Sequence, residues 1–202
     1  MSDLLLWKQL KEGKKAALER IYTDYVRGLL KYGRKFSKNE ALVEDCVQDL
    51  FIELWKNREG LGMTDSIQRY LLVALRRKII RQLDRSKKWV SDSEPTDLDF
   101  DVEIAVDQPL IEKEISSERA TLLKAAMENL SKRQKEVIYL KYVSGLDYED
   151  IGEVMGLNYQ SARNLVSGAL KKLKSKLLLT TVISILIEVD FSDFQELYSF
   201  ID

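Results

Sequence analysis

Three observations predict an all-α protein of two small helical domains. The 202 residues include only two prolines, so few positions forbid a helix interior. Apolar residues recur every three or four positions through most of the chain, which is the spacing of one helix face. Acidic and basic side chains also separate by segment, which divides the helical regions into two basic blocks.

The net charge of −1 conceals this segregation. Residues 1–90 carry 20 basic and 12 acidic side chains, and residues 120–178 carry 10 and 6. Residues 91–119 carry 2 basic and 10 acidic side chains, and residues 179–202 carry none and 5. Two basic domains with an acidic linker and an acidic tail are typical of nucleic-acid partners. Ordinary solvated faces are the alternative, but they do not explain why the signs separate.

The composition argues against several kinds of chemistry. The chain has no histidine and one cysteine, Cys46, which argues against a histidine-based catalytic site, a zinc cluster and a disulfide framework. We therefore expect no metal and no cofactor. The N-terminus lacks a basic-plus-apolar signal segment, so we expect a cytoplasmic protein.

The first half of the chain reads as four helices. Residues 4–36 predict two helices with a break at Gly13. Residues 39–57 predict a third helix with an apolar side and an acidic side, and the acidic side suits a basic protein surface. A solvated face is the alternative. The polar side includes Asp45, Gln48, Asp49 and Glu53.

A loop at residues 57–66 leads to a basic helix that Ser66 is expected to cap. We expect its basic side chains to point outward as a nucleic-acid footprint. A membrane-surface helix is the alternative, but the apolar face is needed to close the bundle. The basic side chains are Arg69, Arg76, Arg77, Lys78, Arg81, Arg85, Lys87 and Lys88.

The second half predicts a linker and four more helices. Residues 89–109 have no period and many acids, which indicates a poorly ordered linker. One helix covers residues 122–130, and Ser131 caps the next, which stops at Gly145. Two further helices follow within residues 147–177.

These last two helices predict a helix-turn-helix. Asp147 precedes the first as an N-cap, Gly156 ends it, and Asn158 caps the second. An ordinary helical hairpin is the alternative. The outer face of the second helix favours DNA binding, because amides and a guanidinium can reach base edges while lysines suit phosphates. These residues are Gln160, Ser161, Arg163, Asn164, Lys171, Lys172, Lys174 and Lys176.

The order of these parts resembles the two-domain extracytoplasmic-function (ECF) sigma factors of bacterial RNA polymerase. The resemblance covers about four fifths of the chain, from Leu10 to Leu177, and its most specific stretches are EDCVQDLFIELW (44–55), residues 130–158 and YQSARNLVSGALKKLK (159–174). The sequence of residues 159–174 is most similar to that of Bacteroidetes-type members. The resemblance implies sigma domain two at 1–90, an acidic linker at 91–118, sigma domain four at 119–178 and a tail at 179–202.

The resemblance also implies the roles of particular residues. Core polymerase would be contacted at its β′ clamp helices by Asp45, Gln48, Asp49 and Glu53. The minus-ten promoter element would be held by the 57–66 loop together with Arg69, Arg76, Arg77 and Arg81. The minus-thirty-five element would be bound by Arg133, Gln160, Ser161, Arg163, Asn164 and Lys171. An anti-sigma factor is a further partner that the resemblance allows.

Two departures from the family pattern affect these roles. Arg77 stands where the family commonly has Asn, and Arg81 where it commonly has Asp, which puts the minus-ten base preference in doubt. Gly168 replaces a basic residue in the recognition helix and costs about 1 kcal/mol of helix stability relative to Ala. The linker is long enough for the two domains to bind both promoter elements. About 30 residues extend to roughly 100 Å, whereas elements about 17 base pairs apart are separated by roughly 58 Å.

We therefore predict a sigma factor that directs promoter recognition, promoter melting and transcription initiation. The first alternative is a helix-turn-helix regulator that is not a polymerase subunit, and the second is a helical protein that binds polymerase without DNA. The tail is too short and interrupted for membrane insertion. Its many apolar residues need cover, either by folding between the domains as a regulatory segment or by completing the C-terminal core.

Overall fold

The computed structural model describes residues 2–88, residue 100 and residues 123–176. Every regular element within these residues is helical, which confirms the predicted all-α class. A 3₁₀ turn covers Arg58–Gly60 and a π-helical turn covers Tyr139–Val143. The helices are α1 (Asp3–Lys11), α2 (Lys15–Gly33), α3 (Glu40–Lys56), α4 (Ile67–Lys88), α5 (123–128), α6 (Lys132–Ile138), α7 (Tyr148–Met155) and α8 (159–176).

The predicted caps fix the helix ends of the second half. The Ser131 hydroxyl accepts a hydrogen bond from the Gln134 N–H at 3.3 Å, and the Gln134 side-chain oxygen accepts one from the Ser131 N–H at 3.1 Å. Asp147 and Asn158 each accept from an N–H three residues on, at 2.8 and 2.7 Å. Gly156, with φ of 65°, ends α7 in the left-handed region that disfavours a side chain.

Helices α1 to α4 form a bundle in which α4 packs against both α2 and α3. Gly33 allows these three helices to meet, because a Cβ there would lie 2.6 Å from Val43 of α3 and 3.2 Å from Ile79 of α4. The Trp7 indole N–H donates to the Gly62 carbonyl at 2.8 Å and ties the 57–66 loop to α1. The fully buried apolar side chains of the bundle include Trp7, Leu10, Ile21, Ile67, Leu71 and Leu75.

The two halves of the chain pack directly against each other. Helix α4 lies against α7, and one hydrophobic core runs through both halves. Phe100 belongs to this core at 2% exposure, with its ring centroid 4.9 Å from Phe36, 6.0 Å from Tyr32 and 5.9 Å from Tyr139. This contact between the halves is a feature that the sequence did not predict.

A smaller core lies under the helix-turn-helix, where α5 meets α8. Its members are Ala126, Met127, Leu130, Ala169 and Leu173. The predictions for the acidic linker and the C-terminal tail fall outside the described residues, apart from Phe100.

Candidate polymerase and nucleic-acid interfaces

The polar side of α3 faces solvent as predicted. Asp45, Gln48, Asp49 and Glu53 are all exposed, while the opposite side of the helix is buried in the bundle. Ile52 lies between them and is 50% exposed, an apolar side chain in an acidic surface. An acidic face with an apolar centre is suited to a basic protein surface.

Lys78 of α4 pairs with two members of this acidic face. Its Nζ lies 2.7 Å from the Glu53 carboxylate and 3.8 Å from that of Asp49. The two carboxylates are more than half exposed, whereas the lysine side chain is 17% exposed. Lys78 therefore partly neutralises Asp49 and Glu53, while Asp45 and Gln48 lie nearer the start of α3.

Helix α4 does not present all its basic side chains to solvent. Arg77 and Arg81 are exposed as predicted. The prediction of an outward direction is wrong for Arg69, Arg76 and Lys78, whose side chains are only 18%, 14% and 17% exposed. The physical reason is that carboxylates from other helices approach this side of α4 and pair with them.

Arg76 forms the most buried of these pairs. Its Nε and Nη2 donate to the two oxygens of Glu136 of α6, at 2.7 and 3.2 Å, and the Tyr32 hydroxyl donates to the first oxygen at 2.7 Å. Glu136 is 2% exposed and Tyr32 is fully buried. Three hydrogen bonds from two side chains thus meet at one buried carboxylate, and both of its oxygens accept at least one.

The protonation states of the donors follow from this geometry. Burial raises the pKa of Tyr32 well above its ordinary value, and the charge of Glu136 raises it further, so the hydroxyl remains a donor. Burial favours the neutral form of Arg76, but the hydrogen bonds and charge of Glu136 outweigh that effect and raise the pKa of Arg76. The guanidinium therefore stays charged.

A second connection lies about two turns nearer the start of α4. Arg69 donates to Asp150 of α7 at 2.8 Å and lies 3.1 Å from Glu153, while Asp65, just before the start of α4, lies 2.5 Å away. The Gln68 amide donates to the Ser144 carbonyl at 2.9 Å. All but the Asp65 contact join the two halves of the chain.

Helix α8 exposes the side chains predicted to read bases. Gln160, Arg163 and Asn164 are exposed and Ser161 is half-buried, with the Gln160 amide donating to the Asn164 side-chain oxygen at 3.0 Å. Lys171 is exposed further along the same helix. An exposed N-terminal turn with amides and a guanidinium is compatible with a major groove.

Arg133 in the first turn of α6 is also exposed, as a residue that contacts a phosphate must be. A groove of about 350 Å³ runs beside α8, and its lining mixes basic and apolar side chains. The lining residues are Tyr148, Arg163, Val166, Ser167, Leu170, Lys171 and Lys174.

The 57–66 loop is anchored on both sides of Met63. Lys11 donates to the Leu61 carbonyl, and Thr64 is buried at 8% exposure with its hydroxyl bonded to Ser66. Met63 between them is 58% exposed. An anchored loop with an exposed apolar tip offers a surface on which a base can stack.

Sequence reasoning missed the residues that join the halves, namely Tyr32, Phe100 and Glu136. Glu136 sits beside apolar positions in KEVI, which is the one sequence signal that it is buried. Among the described residues, no group of three or more acidic or cysteine side chains is placed to hold a metal ion. Within the same residues, no helix is both long and apolar enough to cross a membrane.

Comparison with known proteins identifies both halves. Residues 21–89 match the family "Sigma-70 region 2", and residues 120–173 match "Sigma-70, region 4". The RNA polymerase sigma factor CnrH of Cupriavidus metallidurans is 23% identical over 181 residues, which are 87% of this chain and 94% of the relative.

Two solved structures share the fold. The structure of CnrH in complex with the cytosolic domain of CnrY has a TM-score of 0.59 at 19% identity, covering 90% of this chain and 99% of that chain. The structure of RpoE in complex with the anti-sigma factor NepR from Bartonella quintana has a TM-score of 0.57 at 23% identity, covering 79% and 95%. With the two sigma-70 regions in order along about three fifths of its length, the chain is an RNA polymerase sigma factor of the ECF type.

Proposed function

We propose that this sigma factor binds core polymerase through the acidic side of α3, within a domain of residues 1–90. The partner surface is the β′ clamp helices, and the contacting residues are Asp45, Gln48, Asp49 and Glu53. The exposure of all four on one helix side supports this role. Sigma factors are transcription regulators rather than enzymes, so the chemistry of RNA synthesis belongs to the polymerase.

The minus-ten element is assigned to the 57–66 loop and α4. Arg77 and Arg81 are exposed and can contact phosphates of an opened strand without any rearrangement. Arg69 and Arg76 belong to the same footprint but must first leave their carboxylate partners. The exposed tip at Met63 offers an apolar surface beside this basic helix.

The minus-thirty-five element is assigned to a domain of residues 119–178. The N-terminal turns of α8 read the bases, while Arg133 and Lys171 contact phosphates. Exposure of Arg163 at the start of a helix that follows a capped turn supports this role. The base-reading residues are Gln160, Ser161, Arg163 and Asn164.

Further proposals concern partners and setting. An anti-sigma factor is a fitting partner, since the similar RpoE structure contains one, NepR. Cytoplasmic location follows from a role on promoter DNA. The Bacteroidetes-type subgroup stays a prediction from the spelling of residues 159–174, and the acidic linker at 91–118 and the regulatory role of the tail at 179–202 stay predictions as well.

One experiment tests the polymerase and promoter roles together. The protein is co-purified with core polymerase, and the complex is then assayed for run-off transcription on promoter DNA. A regulator that is not a polymerase subunit would bind DNA without co-purifying. A polymerase-binding protein without DNA function would co-purify without directing transcription.

A further inference from the structure

We propose that this structure is a closed form of the sigma factor, held by an interdomain clasp that withholds two α4 arginines from promoter DNA. The clasp consists of Arg76 with Glu136, Arg69 with Asp150, and Gln68 with the Ser144 carbonyl. The proposal rests on the role of α4 in minus-ten binding given above. It adds a regulatory contact between the two DNA-binding halves.

The first step is that the clasp occupies the donors that DNA would need. Both Nε and Nη2 of Arg76 donate to Glu136, and Arg69 is shared among three carboxylates. A phosphate can contact either guanidinium only after these carboxylates move away. Since Glu136 is 2% exposed, salt and water screen its pair with Arg76 poorly. The contact therefore persists at ionic strengths that weaken surface pairs.

The second step is that the closed arrangement cannot span a promoter. Helix α4 touches α7 directly, with Arg69 and Asp150 only 2.8 Å apart. The two promoter elements lie roughly 58 Å apart along B-DNA. The two halves must separate before each can bind its own element. Separation breaks every contact of the clasp at once.

The third step is that the clasp has the composition of an interface able to separate. Beside the apolar core that the halves share, polar contacts cross between them, namely Arg76 and Tyr32 with Glu136, Arg69 with Asp150 and Glu153, and Gln68 with the Ser144 carbonyl. Interfaces between domains that move are more polar than domain cores. Guanidinium and carboxylate groups can be hydrated again on opening, which keeps the open form accessible.

Charge gives a reason for the two basic halves to approach each other. Residues Lys31, Arg34 and Lys38 from the first half and Lys132 and Lys135 from the second line one groove of about 800 Å³. Phe100 lies in its wall and comes from the segment 91–119, which carries 10 acidic and 2 basic side chains. The excess of acidic side chains in the composition of this segment can offset the mutual repulsion of the two basic halves.

The state of the clasp is tested by distance measurement in the full chain. Donor and acceptor dyes are attached at Thr23→Cys and Ser175→Cys, both exposed positions, while Cys46 at 1% exposure stays unreactive in the folded protein. We expect Glu136→Gln to raise the ratio of open to closed molecules roughly tenfold, because it removes charge-assisted hydrogen bonds. The matched control Glu128→Gln removes one exposed acid from the same half and should leave the ratio unchanged.

The consequence for function is tested by locking the clasp. Gln68→Cys and Ser144→Cys are joined with a thiol-cleavable bis-maleimide, and run-off transcription with core polymerase is measured before and after cleavage. We expect the locked protein to lose promoter-dependent transcription and the cleaved protein to regain it. Locked protein that transcribes like cleaved protein overturns the proposal, as does an unchanged dye distance in Glu136→Gln. Cleaved protein that remains inactive overturns the promoter function instead, and the dye distances still decide the clasp.

Discussion

The Glu53 carboxylate of α3 lies 2.7 Å from the Lys78 ammonium of α4. This pair joins the helix proposed to bind polymerase to the helix proposed to bind the opened promoter strand. A change at either helix therefore alters the electrostatics of the other. Experiments on the acidic face need variants that separate binding from this internal pairing.

Reversing the charges of Asp49 and Glu53 together to lysine should abolish co-purification with core polymerase. The reason is that a basic partner surface would then meet three lysines, including Lys78. DNA affinity of the C-terminal half should not change, which anisotropy on a minus-thirty-five duplex measures. The control is Glu19→Lys, which reverses the charge of an exposed side chain on α2. Retention of the double variant on polymerase would refute the assignment of α3.

Arg163→Ala and Lys171→Ala should change DNA binding in different ways. Loss of a base-reading guanidinium removes about 1–3 kcal/mol of discrimination, so Arg163→Ala should relax specificity. Loss of a phosphate contact should weaken all sites alike and lower the slope of log affinity against log salt by about 1. Affinities over a panel of duplexes at several salt concentrations measure both effects. Identical behaviour of the two variants would contradict base reading by Arg163.

Replacing two glycines of α2 by alanine should have opposite effects on the free energy of unfolding. Gly33→Ala should lower the free energy of unfolding by about 1–3 kcal/mol, because its Cβ would lie 2.6 Å from Val43. Gly28→Ala meets nothing within 4 Å and should raise that energy by about 0.5–1 kcal/mol through helix propensity. Urea unfolding of both variants measures the difference. Equal effects would show that the three-helix contact adapts more easily than the structure indicates.

Alkaline pH should destabilise the fold through Tyr139. Burial raises the pKa of its hydroxyl to about 12, against 10 in an unfolded chain. A raised folded pKa gives stability that is fully present below pH 10 and is lost as the pH rises toward 12, because only the unfolded form releases the proton. Tyr139→Phe should reduce this loss in urea unfolding between pH 9 and about 12 without abolishing it, because the pKa values of Tyr25, Tyr32 and Tyr70 are raised as well. Tyr142→Phe, which removes a hydroxyl from an exposed side chain, is the matched control.

Deleting residues 180–202 should raise the affinity for polymerase or promoter DNA. The tail carries five acids and no bases, so it complements the basic surfaces of both halves. Co-purification and duplex binding of the truncated, folded protein measure the change. Unfolding of the C-terminal half on truncation would instead show that the tail completes its core, and unchanged affinity would exclude inhibition.

The helices were predictable because their ends are encoded locally. Ser131, Asp147, Gly156 and Asn158 each fix a helix end through hydrogen bonds or a backbone angle within a few residues. Contact between the halves was not predictable in this way. Periodicity identifies the polar side of α4 but not its partner, and Arg76 meets a carboxylate 60 residues away.

The candidate site shows the same division. Exposure of Arg163 and Asp49 followed from helix faces alone, and the structure agrees. Burial of Glu136 depends on Tyr32, which is 104 positions away in sequence. Such a three-residue cluster forms only after both halves have folded and docked, so a local pattern contains little trace of it.

The ring of Phe100 determines how much chain acts as a tether. If Phe100 stays packed against Phe36 when the halves part, only the chain between residue 100 and residue 123 sets the maximum distance between them. Its full extension is roughly 75 Å, which exceeds the roughly 58 Å between promoter elements by a modest margin. A tether of that length limits how far the second half can diffuse from the first. The second half would therefore search for its element only near a promoter that the first half already binds. Shortening the tether by six or more residues should therefore reduce the spacer lengths the protein tolerates before it reduces affinity for either element alone.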